Sequence, residues 1–577
     1  MTTPSPRFPY QDPALAVDQR VEDLLSRMEL EDKAGLMFHP LGTIGALDDP
    51  GLFGSPSMRT LLDKRINHAN ILMAGSAREL AEWNNALQRA AREHPLGIPF
   101  TISSDPRHSF SNNPATSIMA GPFTQFPESL GLGAIGSAEL VERFAQIIRE
   151  EYVAVGIRVA LHPQIDLASD ARWARTSSTF GADAGIAADF GVAYVRGLQG
   201  DVVGPTSVSA MAKHFPGGGP QKDGEDPHFA YGREQVYPGG KFDLHLEPFK
   251  AVIAAGVAQM MPYYGMPVGT RYEEVGFGFN KGVITDLLRE ELGFDGIVCT
   301  DWGILTRTFW GVEDLTVEQR MLKALNAGVD QFGGDFKPEM LAGLVRAGSV
   351  SVDRLDASVR RLLKEKFRLG LFDDPFVDAD RAERIVGGAE TRAEGIAAQA
   401  ASYTLLKNAD DGPAHLPLKP ALRLYVEGLA PEAVGDRAVI VDSPDQADVA
   451  VLRLDAPWEE RGGPGEIESF FHAGSLAFHE AEIARISAIG RTVPTVVDVY
   501  LDRPVLLGDI EGATASLIVN YGASDEAFVK VLFGEAEPIG RLPFEIPSSM
   551  AAVAASRPDV PSDTENPTYP VGFGLRY

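Results

Sequence analysis

Residues 295–302 read Asp295-Gly296-Ile297-Val298-Cys299-Thr300-Asp301-Trp302. Asp295-Gly296 is a turn signal, and Ile297, Val298 and Cys299 form a short apolar run bounded on both sides. A run that is apolar throughout, rather than alternating, is how a strand buried on both faces of a parallel sheet reads. It ends in a threonine, a carboxylate and an indole. In a β/α barrel the carboxyl ends of the strands carry the chemistry, so Asp301 beside Trp302 reads as a nucleophile beneath a sugar ring. The same residues also fit an aspartate capping the next helix, with the tryptophan as rim packing.

Outward from this stretch, apolar strand-like runs alternate with amphipathic helical patterns. The strand candidates are 70–74, 98–103, 157–161, 208–212, 257–261, 297–300 and 329–332. Between them lie helical patterns such as 76–92, 138–153, 187–198, 281–291 and 317–327, and residues 21–37 also have apolar residues at helical spacing. Repeated β-then-α units argue for a parallel sheet, and their extent suits a (β/α)₈ barrel. Seven strands are visible, so either the barrel is incomplete or one strand is hidden. The helical pattern 352–371 closes this half. The expected division is a catalytic barrel over 1–371, a linker with some helix over 372–398, and a second α/β region over 399–577. That last part has strand candidates at 438–441, 449–454, 496–500 and 517–520 and helices at 478–488 and 525–533. It is long enough for a three-layer α/β sandwich but not for a second barrel.

The bulk properties fit a soluble globular protein. A chain of 577 residues exceeds one core, so two or more domains are expected. Net charge is −28, which removes the basic footprint a nucleic-acid binder needs and is compatible with a neutral substrate. The single cysteine, Cys299, excludes an intrachain disulfide and a Cys-rich metal site, and its apolar neighbours make it a small core residue. The N-terminal stretch MTTPSPRFPYQDP has no apolar h-region, and no run of 18 apolar residues occurs. A cytoplasmic protein without a membrane span is the expectation.

Lys213-His214-Phe215-Pro216-Gly217-Gly218-Gly219-Pro220 follows the run 208–212. A lysine and a histidine at a barrel strand's end can both donate hydrogen bonds into one pocket, as sugar hydroxyls require. A phosphate loop is the weaker reading, because the spacing is not that of a P-loop and no helix follows at once. KHFPGG well before TDWG is a more specific pattern than either alone. With VEDLLSRMELEDKAGLM (21–37), VGIRVALHPQIDLASDARWAR (155–175), FDGIVCTDWGI (294–304), ASYTLLKN (401–408), LFGEAEPIGRLPFEIP (532–547) and YPVGFGLRY (569–577), the chain resembles glycoside hydrolase family 3, the β-glucosidase-like enzymes. The likeness runs through almost the whole chain and matches the family's short form, a barrel followed by an α/β sandwich.

The resemblance implies roles residue by residue. Asp301 stands at the family's nucleophile and Trp302 at a subsite aromatic. Lys213 and His214 match the pair that holds the nonreducing sugar's hydroxyls. Arg175 matches a sugar-binding arginine, Asp105 the carboxylate that grips outer hydroxyls, and Tyr263 a tyrosine near the nucleophile. Bottom-up, each is a polar residue at the carboxyl end of an expected strand. The sequence departs from the family at Ser177-Ser178-Thr179-Phe180-Gly181-Ala182-Asp183, and at Pro106-Arg107-His108, which replaces a glycine-rich turn after Asp105. Both departures lie near the sugar and leave its identity open.

Retaining hydrolysis needs a second carboxyl to protonate the leaving oxygen and then activate water, about 5–5.5 Å from the nucleophile. The family draws it from a sandwich-domain loop. Here that loop is 458–472 and carries Glu459, Glu460, Glu466 and Glu468. The spacing to Leu476 favours Glu468, with Glu460 as rival. A solvated loop charge is the bland alternative for each. Another branch of the family uses an Asp–His dyad on the loop after KHFPG and cleaves N-acetylglucosaminides. Asp226-Pro227-His228 lies on that loop, two residues later than that branch's spacing, and Gly218 replaces its second histidine. The resulting expectation is an exo-acting retaining β-glycosidase, β-glucosidase-like, acting on small glycosides or oligosaccharides. No metal or organic cofactor is expected, because both half-reactions are carboxylate chemistry. The expected partner is a small-molecule carbohydrate, with oligomeric state open. The alternatives are a β-N-acetylglucosaminidase using Asp226 and His228, and an inactive sugar-binding scaffold.

Overall fold

The computed structural model describes residues 8–110, 120–463 and 465–577. The start of the N-terminal lead, 1–7, and Pro464 of the sandwich loop lie outside them. Among the described residues the first half closes into a ring of eight parallel strand positions. The strands are Phe38–His39 with Leu41–Gly42, His68–Ile71, Thr101–Ser104, Ile157–Ala160, Ser209–Phe215, Gln259–Pro262, Ile297–Val298 and Phe332–Gly333. Each pairs in parallel with the next. Cys299 bridges Gln331, and Phe332–Gly333 returns to Phe38–His39, so no edge remains.

The strand absent from the sequence reading is therefore 38–42. Pro40 splits it, and its apolar residues continue the preceding helical pattern, so neither period nor length marks it as a strand. Pro40 has no N–H to donate, but its carbonyl still accepts from the Asn70 N–H at 2.9 Å. The helical pattern 21–37 is likewise two helices, Val17–Arg27 and Leu30–Leu36.

Helix ends follow local chemistry. In Ala77–Arg92, Ser76 accepts from the Glu79 N–H while Glu79 returns to the Ser76 N–H, and Leu80, Trp83 and Leu87 face the barrel core. Ala138–Val155 stops at Gly156, whose φ of 90° suits a residue without a Cβ. The helix Val352–Arg368 closes the N-terminal end of the barrel. Its Lys366 is fully buried and donates to the carbonyls of Asn67 and Pro99 and to Thr101 Oγ1, at 3.0, 3.0 and 2.6 Å.

Residues 372–398, expected as a linker, fold back on the barrel. Their helix Ala379–Ile385 packs beside Ala77–Arg92 and Ala138–Val155, and Arg78 pairs with Asp380 and Glu383. The next helix, Ala389–Ser402, runs across the expected boundary at 398. The second half is a six-stranded sheet in the order Thr404–Lys407, Ser516–Asn520, Thr495–Tyr500, Val449–Asp455, Arg423–Glu427, Val439–Ile440. Only the first strand is antiparallel to its neighbour. Alternate residues face opposite layers. Ala450 and Leu452 meet Ile486 and Ile489 of the helix Glu480–Thr492, while Val449 and Val451 join Phe528 and Val531 of Asp525–Leu532. The strands Thr404–Lys407 and Arg423–Glu427 were not read from the sequence, being short and flanked by polar loops.

Replacing Lys366 with Met keeps the stem but removes the donor to the Pro99 carbonyl and to Thr101 Oγ1, while the Asn67 carbonyl keeps the Thr101 N–H. Each unsatisfied group costs about 1–3 kcal/mol. Lys366→Met should lower the barrel's resistance to urea by at least about 2 kcal/mol, read from the denaturation midpoint by tryptophan fluorescence.

Candidate active site

At the carboxyl end of the barrel, Thr300 fixes the approach to Asp301. Its N–H donates to the Gln331 carbonyl, and its Oγ1 accepts from the Gly333 N–H, both at 2.9 Å. Asp301 is 8% exposed. Its Oδ1 accepts from the Trp302 N–H at 2.8 Å, whereas Oδ2 is buried with no hydrogen-bond partner within 3.5 Å among the described residues; His214 Nε2 lies 3.9 Å from it, and the Tyr264 hydroxyl also interacts with this carboxylate. Asp301 does not cap a helix. The helix that follows, Val317–Ala327, takes its cap from Thr316. Burial pushes the Asp301 carboxyl above its ordinary pKa, against the downward pull of His228, Arg175, Lys213 and the Trp302 N–H.

Lys213 and His214 do not both donate freely into the pocket. Lys213 Nζ donates to Asp105 Oδ1 at 2.8 Å, and Asn70 donates to Asp105 Oδ2 at 3.0 Å. Burial alone would raise the Asp105 pKa, but Lys213 and Asn70 outweigh it and hold it below the usual carboxylate value. His214 Nδ1 is 2.8 Å from Asp166 Oδ2. Asp166 Oδ1 takes the backbone N–H groups of His214 and Gly218, at 3.1 and 2.6 Å, while burial pushes Asp166 up to about 6. Burial, with Arg175 and Lys213 nearby, keeps His214 neutral near pH 7. A neutral ring that donates through Nδ1 presents Nε2 as an acceptor. The pair thus offers one donor and one acceptor, not two donors.

A third group completes the pocket. Tyr263 Oη and Trp173 Nε1 donate to Asp226 Oδ2 at 3.1 and 3.0 Å, and the His228 N–H and Nδ1 lie 3.0 and 2.6 Å from Asp226 Oδ1. The Asp226–His228 pair is therefore formed. The Arg175 guanidinium sits 5.9 Å from the Tyr263 ring centre, and its Nε is buried without a partner among the described residues. Trp302 is half-buried, its Nε1 also lacks a partner among them, and its ring packs 5.4 Å from His39. Unpartnered buried groups of both signs, Asp301 Oδ2, Arg175 Nε and Trp302 Nε1, are what a polyhydroxylated ring would satisfy.

The sandwich loop 458–472 reaches the barrel mouth. Arg461 pairs with Glu225 at 2.6 Å, Tyr231 Oη donates to Glu468 Oε1 at 2.5 Å, and Phe471 packs 4.9 Å from His228. Glu460 is exposed, Glu459 accepts from the Ser475 N–H, and Glu466 accepts from the Gly463 N–H. The loop's base is tied by the buried Arg503. It donates to the carbonyls of Pro457, Ala473, Gly474 and Ser475 and, across the domains, to that of Arg172.

Asp166, Asn70, His39, Trp173 and Arg503 were not singled out from the sequence. Asp166 lay in plain sight within HPQIDLASD, at a strand's carboxyl end. His39 belongs to the hidden strand and had no such signal. Arg503 acts through backbone carbonyls, which leave no mark in a sequence.

Comparison with known proteins bears on the whole chain. Residues 61–364 match the family model described as the glycosyl hydrolase family 3 N terminal domain, and residues 391–577 match that of its C-terminal domain. A probable beta-glucosidase C from Aspergillus oryzae is 48% identical, covering 98% of this chain and 91% of that protein. A periplasmic beta-glucosidase/beta-xylosidase from Dickeya chrysanthemi is 40% identical over 98% of this chain and 91% of its own. Among solved structures, a beta-glucosidase from Listeria innocua with isofagomine superimposes with a TM-score of 0.79 at 22% identity, covering 97% of this chain and 83% of that one.

Arg503→Met should remove its bonds to four carbonyls at the loop's base and to that of Arg172. Amide hydrogen exchange across 457–475 should then quicken by about tenfold or more, as when local opening loses one to two kcal/mol, while the barrel strands keep their protection.

Proposed function

This chain belongs to glycosyl hydrolase family 3 and is a glycoside hydrolase, and from that premise we propose that it is an exo-acting, retaining β-glucosidase working through a glycosyl-aspartate on Asp301. One observation carries the reading: Asp301 keeps one oxygen tied to the Trp302 N–H and the other buried at the strand's carboxyl end with no hydrogen-bond partner within 3.5 Å among the described residues. A carboxylate so held is desolvated and aimed, as a nucleophile must be.

In the first half-reaction Asp301 Oδ2 forms a bond to the anomeric carbon. The bond from that carbon to the leaving oxygen breaks, and the leaving oxygen takes a proton from Glu468. In the second, water gives a proton back to Glu468, its oxygen bonds to the anomeric carbon, and the Asp301 ester breaks. Lys213, Asp105 and His214 supply a donor and acceptors to the ring's outer hydroxyls, and Arg175 supplies a cation beside the developing charge. The name of the Aspergillus oryzae relative supports glucose as the released sugar, and that of the Dickeya chrysanthemi relative names both glucose and xylose. A second reading has Asp226 and His228 perform the proton transfer. It is favoured by their 2.6 Å contact and by the pull of His228 on Asp301.

Asp301→Asn should cut turnover by roughly three or more orders of magnitude. A 2-deoxy-2-fluoro-glucoside should label the peptide bearing Asp301, seen by peptide mapping, and label elsewhere would sink the reading. Glu468→Ala should spare the first step on a dinitrophenyl glucoside but not on cellobiose. If Asp226→Ala or His228→Ala shows that pattern instead, an N-acetylglucosaminide becomes the favoured substrate.

Asp301 must be ionised to attack. Its raised pKa puts the acid limb of kcat/KM above the ordinary aspartate value of about 3.9. Arg175→Met removes a cation that favours the ionised form, so that limb should move to higher pH.

Lys213→Ala should lower kcat/KM by about tenfold or more, the worth of a charged hydrogen bond. A rise in KM alone would contradict its role.

A further inference from the structure

The proposed acid/base sits on a loop of one domain and must act at a site in the other. What holds its tip there is a barrel residue outside the proposed catalytic set. We infer that Tyr231 is a positioning residue that latches Glu468 to the barrel mouth. The inference rests on the reading of Glu468 given above.

Tyr231 lies on the excursion between the strand Ser209–Phe215 and the strand Glu234–Val236. It is 52% exposed, so water could satisfy its hydroxyl, yet it donates to Glu468 Oε1 at 2.5 Å across the domain boundary. Its ring is held from behind. Phe229 stacks on it at 5.4 Å and 16°, Phe471 of the sandwich loop meets Phe229 edge-on at 5.1 Å, and the same Phe471 packs on His228. The Arg461 guanidinium lies 5.8 Å from the Tyr231 ring centre while pairing with Glu225. The excursion 225–231 therefore offers an ion pair, an aromatic wedge and a hydroxyl to one short loop.

The contact also distinguishes the two oxygens of Glu468. As a carboxylate, Glu468 accepts the phenol proton on Oε1. As an acid, it can keep Oε1 as the carbonyl acceptor and carry the transferable proton on Oε2. Gly462 lies over that second oxygen, and a Cβ there would come within 3.0 Å of the Glu468 Cβ and 3.5 Å of Oε2. The hydroxyl thus fixes a long, half-exposed side chain that would otherwise sample several rotamers. It leaves one oxygen to shuttle the proton.

The test compares Tyr231→Phe and Glu468→Ala with the parent enzyme on cellobiose and on 2,4-dinitrophenyl β-glucoside. Tyr231→Phe keeps the ring stack and loses only the hydroxyl. Its kcat/KM on cellobiose should fall about tenfold or more, against less than about twofold on the dinitrophenyl substrate, whose leaving group needs no proton. Equal losses on both substrates overturn the latch. If Glu468→Ala shows the leaving-group dependence and Tyr231→Phe does not, the latch alone falls. If Glu468→Ala shows none, the acid/base reading falls and the latch falls with it.

Discussion

A carboxylate buried at the end of a barrel strand, with one oxygen beyond hydrogen-bond reach of the described residues, is expensive to keep ionised, and the architecture of the barrel mouth follows from that cost. Asp301 has lost most of its water, which raises its pKa. Arg175, Lys213 and His228 oppose the rise from three different strand ends and loops. Each of these is in turn held by an acid of its own or by an aromatic face: Lys213 by Asp105, His228 by Asp226, Arg175 above Tyr263. The pocket is a network of acidic and basic side chains joined by hydrogen bonds. Removing Lys213 or His228 would take a hydrogen-bond donor from a buried carboxylate, the costlier kind of loss.

That network can be assembled only because the sheet closes. Residues 105, 166, 175, 213 and 301 are far apart in the chain, and they meet because parallel strands put their carboxyl ends on one face. The opposite face does different work. There the buried Lys366 satisfies strand-end acceptors, and Glu365 accepts from Gln259, so the polar groups of that end serve stability. The β/α barrel separates the two tasks by strand direction.

The second domain reaches the same face through one loop. Arg503 binds both ends of that loop to each other and to the barrel, and the tip is met by Glu225, Tyr231 and the rings around His228. Rigid at its base and latched at its tip, the loop places acidic side chains beside the barrel without their belonging to it. The helices over 379–402, which pack on the barrel and then lead into the sandwich sheet, set the distance it must span.

The sequence by itself determined the division into a barrel and a sandwich and seven of the eight strand positions, because a parallel strand buried on both faces must be apolar along its length. Asp301, Lys213 and His214 stood out at strand ends, while the roles of Asp105, Arg175 and Tyr263 came from the family resemblance. The strand at 38–42 escaped, since Pro40 breaks it and its apolar residues merge with a helical pattern. The directions of hydrogen bonds escaped too. Only the tertiary structure shows that His214 Nδ1 meets Asp166 Oδ2 at 2.8 Å, so that a neutral ring donating there has Nε2 as its acceptor, because that depends on a neighbour 48 residues away in the chain. Among the loop's four glutamates, spacing to Leu476 favours Glu468 but leaves Glu460 as a rival. Only the tertiary structure shows that Glu468 is the one met by Tyr231 of the barrel, because that contact depends on a residue 237 positions away in the chain.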